Sequence, residues 1–231
     1  MEKDKNIEKE APQPKGTVYD DQEGAAEELT IRQKLLGAFD RFGDLFMLNV
    51  YFSVSCVPII TIGTAFTALY TVTNKMRADK DGRLFREYLK AFKENLKPGI
   101  IIFCADLVLI ALVMILSQRS SFLIISGILF FILSFAIPLQ FPLLARYKNT
   151  PLRIMLNALA LCVAHPLIWF KLYFIWILPV VVYYFYPRIM LYTWYLWTLI
   201  LTALFAYICS GFLLKFYEKI EAEDPTGQEN K

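Results

Sequence analysis

Long apolar runs alternate with short charged segments along this chain, and the runs set its predicted architecture. A helix needs about 20 apolar residues to cross a bilayer, and five runs are of about that length or longer. They cover residues 45–72, 99–117, 122–145, 166–186 and 189–214, and their only charged members are Asp106 and Lys171. With short interfacial amphipathic helices beside them, the runs predict an all-α, polytopic membrane helix bundle of about five transmembrane helices.

The first run is longer than one bilayer crossing requires. As a single helix, residues 45–72 would rise about 42 Å at 1.5 Å per residue, and Pro58 and Gly63 mark where that helix should bend. One tilted or kinked span is the simplest interpretation. A re-entrant hairpin that turns between Val57 and Gly63 is the alternative, and it would return the N-terminus to the other side of the membrane.

Residues 82–97 form a basic segment with the period of an amphipathic helix. Its apolar side chains fall in one i, i+4 row with two neighbours, and its basic side chains lie off that row. The row is Leu84, Tyr88, Phe92 and Leu96, with Phe85 and Leu89 beside it. Such a helix lies on a membrane surface, packs as a connector against its own bundle, or docks a partner. The candidate partner-docking residues are Arg86, Lys90 and Lys93.

The remaining segments complete the predicted organisation. Residues 151–164 predict a second interfacial helix, with the alternative that they extend a neighbouring span. Residues 1–29 are acidic and show almost no apolar periodicity, which predicts a disordered tail. Residues 30–218 then form a single transmembrane helical domain, which begins with a short interfacial helix, and residues 219–231 form a polar tail.

Lysine and arginine are concentrated in alternate connections, and short loops rich in these residues stay in the cytoplasm. Residues 74–98 hold eight of them, residues 146–153 hold three, and the C-terminal segment begins with two. The opposite connections hold only Arg119 and Arg188. We therefore expect the basic loops and the C-terminus to face the cytoplasm, and a five-span chain would place its N-terminus outside.

Composition favours a membrane protein over several other classes. Charged residues make up 19% of the chain and hydrophobic residues 57%, whereas soluble domains are about 25% charged. The net charge of +3 is too small to indicate nucleic-acid binding. The four cysteines lack the spacing of a zinc or redox site, His165 is the single histidine, and we find no phosphate-binding loop or hydrolase motif. We expect no enzymatic activity, no cofactor and no nucleic-acid partner.

A few polar residues lie inside the apolar runs and are the candidate intramembrane polar residues. They are Asp106, Thr64 and Thr67. A carboxylate within a span faces the bundle interior or a water path, usually with a partner, so Asp106 makes either a structural polar contact or a site for ion coupling. Threonines beside Gly63 favour close helix packing; the alternative is a polar lining for a solute path.

Four segments carry a resemblance to a known family. They are RFGDLFMLN, VPIITIGTAFTALYTVTNKM, LFREYLKAFKENLKPG and FPLLARYKN. In this order they resemble the YesL family of bacterial integral membrane proteins, a domain of unknown function, over roughly residues 39–218. The resemblance implies a multi-pass protein of the bacterial cell membrane. It also implies a gene that lies beside the genes of carbohydrate ABC importers. The expected partners are therefore the lipid bilayer and importer subunits.

Two functional hypotheses follow from the residues and the resemblance together. The first is an accessory or regulatory subunit linked to carbohydrate uptake by an ABC importer, which docks through the basic helix. The alternative is a small solute permease in its own right, with Asp106 and the threonine-rich first span along its path. The sequence identifies no substrate, no particular partner and no oligomeric state.

Overall fold

The computed structural model describes residues 18–78, 83–188, 192–193 and 201–223, and no β-strand occurs among them. The chain divides into two units, residues 1–43 and residues 44–231. Within the described residues, the helices are α1 (Val18–Ser55), α2 (Ile62–Arg77), α3 (Leu84–Glu94), α4 (Leu96–Ser117), α5 (Leu123–Arg146), α6 (Pro151–Ala164), α7 (Pro166–Phe185) and α8 (Thr202–Glu223). This confirms the predicted all-α helical bundle.

The N-terminal segment differs from the expected disordered tail. The helix α1 already begins at Val18 and includes residues 18–29, and the predicted interfacial helix near residues 30–42 is a continuous part of it. Residues 1–17 of the expected tail lie outside the described residues. So do residues 224–231 of the polar tail and most of the run at 189–200 that begins the fifth predicted span.

The first apolar run consists of two helices, so the expected single span is wrong. The chain leaves α1 at Ser55, passes a short 3-10 turn at Ile59–Thr61, and enters α2. The Thr61 hydroxyl lies 2.6 Å from the Ser55 carbonyl oxygen and 2.7 Å from that of Pro58, close enough to donate to either.

The two helices of this run fold back on each other. The rings of Phe52 and Phe66 lie 4.9 Å apart, whereas one straight helix would separate these positions by about 21 Å. The chain therefore reverses at the turn, as in the hairpin alternative. Proline at position 58 suits this turn because it has no N–H to donate within a continuing helix.

The helices α4 and α5 are long, strongly apolar and largely exposed. Among the described residues, Leu96–Ser117 and Ser120–Arg146 are long and apolar enough to cross a membrane. Only 22% of an 18-residue window is buried in each, and large side chains such as Val108, Met114, Ile124 and Phe131 are exposed. A core helix of a soluble protein would bury most of such a window. The helix α6 and residues 170–185 of α7 are apolar but shorter.

The helix α2 packs against α3, α4, α5 and α8 and supplies much of the core. Small buried residues, Ala65 and Ala68 on α2 and Ala206 on α8, let the helices approach closely. The hydroxyls of Thr73 and Ser210 are 2.7 Å apart across the α2–α8 contact. Buried polar side chains therefore hold part of this bundle together, alongside apolar packing.

Charged pairs join the ends of three helices. The Arg146 guanidinium at the end of α5 donates hydrogen bonds of 3.0 and 3.1 Å to Glu221 on α8. The Lys148 ammonium lies 3.9 Å from the Glu94 carboxylate at the end of α3. These contacts bring together the C-terminal ends of α3, α5 and α8, each of which belongs to a basic segment of the sequence.

Candidate functional site

The outer side of α3 is a basic surface, which we call the basic face. It lines a groove of about 600 Å³, and its members are Arg83, Phe85, Arg86, Leu89, Lys90, Lys93 and Glu94. The three predicted docking residues are all exposed and share this groove. Phe85 is 53% exposed, so the basic face also includes a partly exposed aromatic ring.

The inner side of α3 rests on the protein's own bundle. Tyr88 and Ala91 are buried, and the Tyr51 ring of α1 lies 5.2 Å from Phe85 and 6.0 Å from Tyr88. The structure thereby favours the bundle connector over a helix whose apolar row lies on lipid. The predicted helix at 82–97 also divides at Asn95, because Leu96 begins α4; the Asn95 side chain donates to the Ala91 carbonyl oxygen over 2.9 Å.

An ion pair fixes the first turn of α3. The Lys75 ammonium of α2 donates a hydrogen bond to the Glu87 carboxylate, and this bond lowers the pKa of Glu87 below its ordinary value. The contact ties α3 to the end of α2 across the connection between them. The basic face is therefore carried on a helix that is fixed from its inner side.

A second candidate site lies inside the apolar hairpin. Asp106 of α4 is 3% exposed and Gln140 of α5 is 1% exposed, and the two side chains interact. Within the described part of the chain, neither carboxylate oxygen of Asp106 accepts a hydrogen bond of standard length, and neither does the Gln140 side-chain oxygen. Buried polar atoms of this kind are costly unless something compensates them, which makes the Asp106–Gln140 pair a candidate for function.

The two predicted threonines serve helix packing. Thr67 donates to the Gly63 carbonyl oxygen over 2.9 Å, and Thr64 donates to the Leu96 carbonyl oxygen over 3.3 Å. Both are fully buried. Thr64 therefore takes part in the contact between α2 and α4, whereas Thr67 bonds back to its own helix, and neither is shown bonded to Asp106 or Gln140.

Sequence reasoning missed Gln140. Its amide side chain is uncharged, so it does not interrupt an apolar run when the runs are defined by the absence of charged residues. It was nevertheless visible as the single amide between Pro138 and Pro142 in residues 122–145. Helix-breaking residues near a polar side chain are a signal for an intramembrane site.

No metal or redox centre is evident where the chain is described. Groups of three or more histidine, cysteine, aspartate or glutamate side chains that could hold a metal ion are absent from the described residues. The four cysteines, at positions 56, 104, 162 and 209, are free thiols. The Cys162 thiol lies 3.2 Å from the Phe135 carbonyl oxygen and so contributes to the α5–α6 contact.

Comparison with known proteins finds one region of the chain that is similar to a family of unknown function. Residues 45–117 match the family described as protein of unknown function, DUF624, which is the family domain of YesL-like proteins. The match covers the α1–α2 turn, α2, α3 and α4, so it includes the basic face and Asp106. No curated protein and no solved structure matches the chain.

Proposed function

We propose that this protein is a multi-pass accessory or regulatory subunit in the bacterial cell membrane, acting with a carbohydrate ABC importer. The observation that carries the proposal is the basic face of α3, exposed on a helix whose opposite side is packed into the bundle. The YesL-like resemblance supplies the link to importers.

Membrane placement is supported by the hairpin of α4 and α5. Its large apolar side chains point outward along both helices, and exposure of that kind is unfavourable in water. A helix satisfies its own backbone groups in lipid, so helices of this length and hydropathy suit a bilayer. The contacts of Lys148 with Glu94 and of Arg146 with Glu221 support a common, cytoplasmic side for three basic segments and the C-terminus.

The chemistry of the basic face indicates an acidic partner surface. Arg86, Lys90 and Lys93 contribute three positive charges, and charge complementarity steers association and fixes orientation. Phe85 supplies an aromatic anchor among them, the kind of residue that carries much of the binding free energy at interfaces. Because α3 is already fixed to the bundle, docking there costs little ordering of the helix.

Co-purification with charge-reversed variants tests this proposal. The variant Arg86→Glu, Lys90→Glu, Lys93→Glu should lose importer subunits that co-purify with the wild-type protein, with at least about a tenfold lower yield. A matched control reverses Lys97, Arg119 and Arg153, which are exposed and lie outside the groove. Unchanged co-purification of importer subunits with the first variant would contradict docking through the basic face. Equal loss of importer subunits in both variants would show that the loss depends on overall charge.

A small solute permease is the second candidate, and the buried Asp106–Gln140 pair is the observation that favours it. A carboxylate inside a span can bind a cation or a proton during transport. Uptake of sugars by the purified protein in liposomes, under proton or sodium gradients, tests the idea. The permease hypothesis expects uptake that Asp106→Asn abolishes, and absence of uptake under every gradient would contradict it.

A further inference from the structure

A pocket lies where the start of α7 meets the end of α8. The two helices run antiparallel, since the His165 ring lies 5.0 Å from Phe216 and the Trp176 ring lies 6.1 Å from Phe205. Between their facing ends is a cavity of about 460 Å³. That volume is within the usual range of small-ligand sites, about 300–1,000 Å³.

The pocket is strongly cationic. Three lysines from two helices line it, namely Lys171, Lys215 and Lys219, together with His165. Its described lining contains no acidic side chain, and the nearby Glu221 is bonded to Arg146 and Tyr147. The Lys171 ammonium is held 5.6 Å above the Phe212 ring, so one cation is positioned by an aromatic contact. The pocket therefore matches a compact anionic group.

An exposed apolar side chain of α7 lines the same pocket, and a second follows it along the helix. Leu167, in the first turn of α7, is 76% exposed, and Phe170 one turn later is 59% exposed. A free phosphate would use the lysines and leave these side chains uncovered. An amphiphile would use both, with its anionic group at the lysines and its hydrocarbon along α7. Basic pockets between helices at the cytoplasmic side of membrane proteins bind anionic headgroups in this way.

We propose that this pocket binds the headgroup of an anionic phospholipid, with the phosphate at Lys171 and Lys215 and an acyl chain along Leu167 and Phe170. Binding joins the start of α7 to the end of α8, two elements from separate parts of the chain. The site rests on the membrane placement proposed above and is independent of the docking face on α3.

Native mass spectrometry of the full-length protein, released from nanodiscs of mixed lipid, tests the proposal. Phosphatidylglycerol should be retained in preference to phosphatidylcholine, and the variant Lys171→Gln, Lys215→Gln should reduce that retention about tenfold to thirtyfold. The matched control, Lys97→Gln, Lys148→Gln, removes the same charge from sites outside the pocket and should retain the lipid. Equal retention of the two lipids, or equal loss in both variants, would overturn the site.

Two further experiments distinguish a lipid headgroup from free phosphate and test the site in the wild-type protein, where no substitution can cause misfolding. Millimolar inorganic phosphate or glycerol phosphate should leave phosphatidylglycerol bound; displacement by either would show a site for free phosphate and contradict the lipid. A photoactivatable phosphatidylglycerol on the wild-type protein should label residues 165–171 and 212–219, and labelling elsewhere only would contradict the pocket. Extraction of the protein from membranes by alkaline carbonate would contradict the membrane placement itself. That outcome differs from loss of the lipid site in a protein that stays in the membrane.

Discussion

Gly63 and Gly99 bring α2 and α4 into backbone contact. A Cβ atom built on Gly63 would lie 2.7 Å from the Gly99 carbonyl oxygen, and one built on Gly99 would lie 2.8 Å from the Cα atom of Thr64. Real Cβ atoms essentially never come that close. The contact fixes the start of α4 against the start of α2, and α3 is the helix that connects them.

Gly63→Ala should therefore destabilise the bundle. Its methyl group would also meet the Phe103 and Phe141 side chains at 2.8 Å, and overpacking of this kind costs about 1–3 kcal/mol. Thermal unfolding of the detergent-solubilised protein measures the loss. Gly127→Ala on α5 is the matched control, because no atom lies within 4 Å of its added Cβ; an equal shift in the two variants would contradict the close approach.

Tyr88 should hold the basic face in place. Tyr88→Ala removes a buried ring that lies beside Tyr51 and Phe92, and loss of a large buried aromatic costs about 3–5 kcal/mol. Hydrogen–deuterium exchange should show α3 opening in this variant, with partner binding weakened in parallel. Tyr88→Phe keeps the ring and should change stability by no more than about 1 kcal/mol. Loss of α3 protection in Tyr88→Phe as well would point to the hydroxyl instead of the packing.

Glu221 should anchor the end of α8. Its carboxylate accepts hydrogen bonds from the Arg146 guanidinium and from the Tyr147 hydroxyl at 2.8 Å, so Glu221→Gln loses charge-assisted bonds worth about 1–3 kcal/mol. We expect earlier proteolysis of the C-terminal segment and a lower melting temperature. Glu218→Gln, one turn before on an exposed position, is the control. Equal melting temperatures for Glu221→Gln and Glu218→Gln would contradict a structural role for the Glu221 hydrogen bonds.

The Lys75–Glu87 pair should make the α2–α3 contact sensitive to acid. The Lys75 hydrogen bond lowers the pKa of Glu87, so the pair stabilises the folded state fully above the ordinary glutamate pKa of about 4.3. That stabilisation is lost as the pH falls through the lowered pKa. Exchange of α3 amides in the wild-type protein, compared at each pH with Glu87→Gln, should converge on the variant as the pH falls below the lowered pKa of Glu87. A constant difference between the two proteins at all pH values would contradict the ion pair.

The sequence predicted the helical class well because apolar runs and their period report directly on helix formation. It placed α6 on the residues that form it, and it located α3 to within three residues at either end. It favoured one span for residues 45–72, because composition alone does not indicate that the chain reverses direction within an apolar run. That reversal depends on the contact of Phe52 with Phe66 and on the Thr61 hydroxyl at the turn.

The candidate sites were predictable only in part, for a related reason. The exposure of Arg86, Lys90 and Lys93 follows from the helical period, which places them opposite Tyr88. The partnership of Asp106 with Gln140 does not, because it depends on the register between α4 and α5. The pocket of Lys171 and Lys215 likewise joins residues more than forty positions apart, which no local pattern brings together.

Photocrosslinking from the basic face is the most direct test of the central claim that α3 docks an importer subunit. A benzophenone amino acid at Phe85 preserves an aromatic side chain in the groove, and the same residue at Phe131 of α5 is an exposed apolar control. Irradiation of intact cells should give an adduct of an importer subunit at position 85 that charge reversal of Arg86, Lys90 and Lys93 removes. Adducts with lipid alone, or the same adduct from position 131, would contradict the docking face.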